Sequence, residues 1–105
     1  IDPFHLHRGG SGVSAFAQAR LAAHEIGVLH FNDAPHEPAW NTQRDEDRVL
    51  PGEGCLDLRG YIAAARQAGY RGALSLELFS HKLWEQDPFE VAARGLDSMK
   101  AIAEN

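Results

Sequence analysis

Apolar positions along this chain switch repeatedly between the period of a helix and that of a strand, and this alternation constrains the fold most. Residues 14–27 carry an apolar stripe of Phe16, Ala19, Leu21, Ala22 and Ala23, with Ser14 placed to cap the start and Gly27 just past the end. They predict a helix. Residues 26–31 then predict a strand with Val28 and Leu29 buried. Residues 33–54 are polar and rich in Pro and charge, and predict a loop. From Asp57, Leu58, Tyr61, Ile62 and Ala65 share one helical face that ends at Gly69. Residues 72–79 alternate, with Leu74, Leu76 and Leu78 on one face and Ser75, Glu77 and Phe79 on the other. Asp87 caps a last helix running to Asn105, with Pro88 in its first turn and Glu90 placed for a capping box. The opening IDPFH reads as the tail of a preceding strand. The fold class implied is α/β, built of βα units with parallel strands.

With 105 residues the chain holds one small domain at most, and its 44% apolar content is enough to pack a core. A parallel sheet of so few strands leaves apolar surface uncovered. The first residue is Ile1 and the one methionine is Met99. The expectation is therefore part of a larger domain that forms a homo-oligomer or associates with its missing portion. Net charge is −5 and the basic residues are scattered, which argues against nucleic acid as partner. No apolar run approaches a membrane span. A single cysteine, Cys55, excludes an internal disulfide and suits a reducing cytoplasm, the expected compartment.

In parallel α/β folds the chemistry gathers at the C-terminal ends of strands. Each predicted strand here ends in a possible metal ligand: Asp2, His30 and Glu77. The spacings correspond to one βα repeat, then one repeat plus the long loop. Neighbouring parallel strands would bring two carboxylates and an imidazole to one rim, a donor set suited to Mn, Co, Fe, Zn or Mg. The plainer reading is a turn aspartate, a satisfied core histidine and a solvent-facing glutamate. Asn32 and Asp33 follow His30 directly and suit either substrate contact or an ordinary turn. The segment HRGGSG (7–12) precedes a helix and could offer backbone N–H groups to an anion, although it lacks the lysine of a phosphate loop.

IDPFH, LHFNDAP, DRVLPGEG and GYRGALSLELF, in that order, resemble the C-terminal part of the xylose isomerase-like TIM-barrel superfamily. The resemblance covers nearly the whole chain. It implies the C-terminal βα units, about the sixth to eighth strands, of a (β/α)8 barrel, so that residues 1–105 are part of one domain. It further implies a divalent metal held by Asp2, His30 and Glu77, with Glu77 also a catalytic acid or base. The superfamily's fifth-strand glutamate has no counterpart here. His5, of the DxxH pattern, and Arg48, of DRVLPGEG, would contact substrate, with Asn32 and Asp33 beside them. The implied activity is isomerisation or epimerisation of a sugar or sugar phosphate through proton abstraction next to a carbonyl. The implied substrate is a polyol, keto-sugar or cyclic keto-acid. A dehydratase acting on inosose or dehydroshikimate is the alternative, and a non-catalytic barrel fragment is the second.

Overall fold

The computed structural model describes residues 1–104. Two parallel strands, β1 (Leu29–Phe31) and β2 (Leu74–Leu76), form its sheet, with His30 opposite Ser75 and Phe31 opposite Leu76. The N-terminal residue extends the ladder on the far side of β1. The Ile1 amine donates to the Val28 carbonyl at 3.0 Å, and the His30 amide donates to the Ile1 carbonyl at 2.8 Å.

The IDPFH segment is not strand beyond that residue. Asp2 caps α1 (Pro3–Arg8), its side chain accepting from the amides of Phe4 and His5. Pro3 at the first helical position suits this start, because its absent N–H would have no intrahelical partner. The helix expected over residues 14–27 is broken. It survives as α2 (Ser14–Gln18), with Val13 rather than Ser14 at the N-cap position and no side-chain cap. Arg20 then turns at φ 51°, and a short 3-10 turn covers Ala23–Glu25. Phe16 and Ile26 are both buried, and they explain the break. A continuous helix would set them about 15 Å apart along its axis, too far to share this small core. Val28, expected in the core, is 40% exposed, whereas Leu29 and Phe31 are fully buried. Period two decides this: Leu29 and Phe31 face the helices, and Val28 and His30 face the open side of the sheet.

The loop over residues 33–54 is confirmed as irregular. It holds two 3-10 turns, Trp40–Thr42 and Asp45–Asp47, and one bridge pairing Asp33 with Val49. Helix α3 (Leu58–Gln67) follows, with Asp57 accepting from the Gly60 amide and Leu58, Tyr61, Ile62 and Ala65 buried as the stripe requires. A four-residue helix that the alternation did not signal, α4 (His81–Trp84), starts at Ser80 after β2. Asp87 caps α5 (Pro88–Ala103) through the amides of Phe89 and Glu90. Asn105, the expected end of this helix, lies outside the described residues. The core joins Phe16, Ile26, Leu29 and Phe31 to the buried face of α3. Among the described residues no helix is long and apolar enough to cross a membrane.

Candidate metal centre

Side chains at Asp2, His30 and Glu77 meet at one end of the sheet. His30 Nδ1 lies 3.1 Å from Asp2 Oδ2 and 2.9 Å from Glu77 Oε2, and the three ligand atoms are all within 4.8 Å of one another. The backbone explains the convergence. The Glu77 amide donates to the Phe31 carbonyl at 3.2 Å, so Glu77 stands one residue past the paired part of β2, on the face of Ser75 and His30. Asp2 is 8% exposed and divides its carboxylate between two tasks. Oδ1 accepts from the Phe4 amide at 2.8 Å and the His5 amide at 3.2 Å, while Oδ2 faces the imidazole.

One imidazole nitrogen between two carboxylate oxygens is a donor set that a divalent cation fits. Bonds of 2.0–2.2 Å in tetrahedral geometry place donors about 3.4 Å apart, so the two imidazole–carboxylate distances of 3.1 and 2.9 Å need only spread by a few tenths of an ångström, with all three donors already within 4.8 Å of one another.

Two further residues hold the cluster. Asn32 is buried, and its Nδ2 donates to Asp2 Oδ1 and Oδ2 at 3.2 and 3.1 Å and to the Glu77 carbonyl at 3.3 Å. Its Oδ1 accepts from the Phe4 amide. Arg48 is 1% exposed, with Nη1 3.3 Å from Glu77 Oε2 and 3.6 Å from Asp2 Oδ2. Its guanidinium stands over the rings of Phe4 and Phe79, 5.2 and 4.7 Å from their centroids.

Other expected site residues lie apart from this group. Asp33 is buried, but its carboxylate accepts four backbone N–H groups: Ala34 at 2.9 Å, Gly52 at 2.9 Å, Gly54 at 3.1 Å and Leu56 at 3.0 Å. Its acceptor capacity is used in shaping the PGEG turn. The His5 imidazole is exposed and packs edge-on against Phe4; only its backbone amide touches Asp2. In HRGGSG the amides of Gly9, Gly10 and Gly12 donate to the carbonyls of His5, His7 and Leu6, so they are not offered to an anion.

Tyr61 was legible only as a core residue. Its hydroxyl lies 3.0 Å from both the Ile1 and His30 carbonyls, beneath the two backbone segments that carry Asp2 and His30. Burial, then the negative charge of Asp2, then Tyr70, push its ionisation well above the usual tyrosine range, so it stays a neutral donor. A buried tyrosine requires an acceptor for its hydroxyl, and that requirement was the available signal. Burial first and Asp33 second raise the Cys55 thiol, which argues against a reactive thiolate.

Comparison with known proteins places the chain in a family. The family model of the xylose isomerase-like TIM barrel matches residues 1–102. The inosose isomerase of Halalkalibacterium halodurans is 33% identical over 98 residues, which cover 93% of this chain and 34% of that protein. The 3-dehydroshikimate dehydratase of Pseudomonas putida is 39% identical over 57 residues, 54% of this chain and 9% of that protein. A crystal structure of the IOLI protein with a binding zinc atom superposes with a TM-score of 0.87 at 27% identity, covering 98% of this chain and 36% of that one. The chain thus spans about a third of the length of the inosose isomerases it matches, 34% for the one above. Because the family model spans residues 1–102, the chain belongs to the xylose isomerase-like TIM barrel family.

Proposed function

We propose that this chain forms the C-terminal βα units, about strands six to eight, of a divalent-metal-dependent isomerase or epimerase acting on a polyol, keto-sugar or cyclic keto-acid. The convergence of Asp2, His30 and Glu77 carries this reading. It is supported by the 33% identity to an inosose isomerase and by the likeness to a zinc-bound structure. Asp2 Oδ2, His30 Nδ1 and Glu77 Oε2 would hold the ion, with a further ligand from outside this chain. When bound, a divalent cation supplies Lewis acidity toward a substrate carbonyl or hydroxyl oxygen.

Glu77 is the acid–base group of this reading. Its Oε2 is engaged by His30 and Arg48, and the side chain is partly exposed, so Oε1 is the oxygen assigned to the substrate. Oε1 takes a proton from the carbon next to the carbonyl, and the electron pair passes into the enolate. Return of the proton to the opposite face of the same carbon gives an epimer; return to the former carbonyl carbon, with the adjacent hydroxyl proton passing to the former carbonyl oxygen, gives an isomer. Asn32 keeps Asp2 aligned throughout, and Arg48 offsets the carboxylate charge.

The 39% identity to a 3-dehydroshikimate dehydratase favours a second reading, in which the same enolate expels a β-hydroxyl group. Titration calorimetry with Mn, Co and Zn, followed by NMR of inosose in deuterated water, tests both. Metal binding abolished in His30→Ala and deuterium entering next to the carbonyl are the expected results. Formation of a conjugated enone would select the dehydratase. A folded protein that binds none of the three metals would refute the reading.

A further inference from the structure

We propose that Arg48 is a resident counter-cation of the Asp2–Glu77 pair, holding the carboxylates together in the metal-free protein and weakening their hold on a metal once it binds. This rests on the metal-centre reading above and extends it to how tightly the ion is held. The atoms carry the argument. Arg48 Nη1 lies 3.3 Å from Glu77 Oε2 and 3.6 Å from Asp2 Oδ2, the same two oxygens that His30 Nδ1 approaches. A metal held by that imidazole and those oxygens shares both carboxylates with the guanidinium.

Withdrawal of Arg48 is obstructed on several sides. The residue is 1% exposed and lies between the rings of Phe4 and Phe79. Its Nε donates to the Asp45 carbonyl at 3.0 Å, and Nη2 sits 3.5 Å from Asp45 Oδ1. A surface arginine could swing aside when a cation arrives; this one is packed in place. In the metal-free protein it offsets the repulsion between two carboxylates that approach a single nitrogen. In the loaded protein it stands as a like charge beside the metal and draws electron density from two of its ligands. The consequence is a preassembled site of moderate affinity, whose ion stays more electrophilic than an unopposed pair of carboxylates would leave it.

The sign of the effect separates this role from a merely structural one, because a scaffold residue lowers metal affinity when removed. Zinc and manganese affinities of the wild type, Arg48→Met and Arg48→Lys are measured by titration calorimetry. Arg48→Met is expected to bind about tenfold or more tightly, and to gain more thermal stability from the metal than the wild type does. Arg48→Lys keeps the charge and is expected to stay near wild-type affinity. Equal or weaker binding by Arg48→Met overturns the proposal. Wild-type protein that binds no metal refutes the metal-centre reading and this one with it. NMR of the wild-type guanidinium gives a second measurement that needs no variant. The Arg48 Nε–H is expected to exchange slowly with solvent both before and after zinc is added. Rapid exchange in the loaded protein means that the arginine leaves, and overturns the proposal even if Arg48→Met does not fold.

Discussion

Asn32 and Asp33 are neighbours in sequence and serve opposite sides of the chain. Asn32 continues the face of His30 and braces Asp2, whereas Asp33 turns away and gathers the amides of residues 34, 52, 54 and 56. The two substitutions should therefore separate stability from metal binding. Asp33→Asn puts amide hydrogens among four N–H donors and is expected to cost about 2–4 kcal/mol in urea unfolding, with metal affinity nearly unchanged. Asn32→Ala frees the Asp2 carboxylate and is expected to lower metal affinity about 10–100-fold, read by calorimetry. If Asp33→Asn instead lost the metal at unchanged stability, the assignment of its carboxylate to the turn would be wrong. Sequence alone placed both residues near the site, and the alternation of strand faces distinguishes them once His30 is fixed on the open side.

At the scale of elements, legibility followed the strength of the local signal. Helices α3 and α5 pair a wide apolar stripe or a long helical run with an aspartate cap, and both formed as expected. Residues 14–27 have alanines where a helix would need larger apolar groups, and tertiary packing of Phe16 and Ile26 broke the pattern. Helix α4 has four residues, too few to leave a periodic signature. The cluster of Asp2, His30 and Glu77 was legible because its spacing matches successive βα repeats. Arg48 was legible as a site residue through its motif, but its contacts to Asp2 and Glu77, and those of Tyr61 to the Ile1 and His30 carbonyls, reach across the fold and leave no local signal. The PGEG turn can be tested as a unit. A Cβ at Gly54 would lie 2.2 Å from the Ala34 carbonyl oxygen and 2.5 Å from Asp33 Oδ1. Gly54→Ala must displace backbone, and is expected to destabilise by about 2–3 kcal/mol in thermal or urea unfolding. A neutral result would mean that the turn is not wound tightly around Asp33.

Across the whole molecule, one side chain ties the helical layer to the segments that carry Asp2 and His30. Tyr61 rises from α3, stacks on Phe31 with ring centroids 6.2 Å apart, and sets its hydroxyl between the Ile1 and His30 carbonyls. On the other side of the sheet Val28 is 40% exposed, so the strands are braced from the helical face and open on the site face. Global stability should then carry the signature of this hydroxyl in alkali. In the folded protein its pKa is raised by burial, by Asp2 and by Tyr70. In the unfolded chain it ionises near its ordinary value, about pH 10. The unfolded state thus loses the proton first, and the stabilisation is fully present below about pH 10 and falls as pH rises beyond it. The expected slope from this group approaches about 1.4 kcal/mol per pH unit. Tyr61→Phe removes the group, costs about 1 kcal/mol at neutral pH, and removes that part of the slope. Urea midpoints of the two proteins should therefore differ below pH 10 and converge above it. Parallel curves up to pH 11 would show that the hydroxyl is not the buried tie between α3 and the two strand ends.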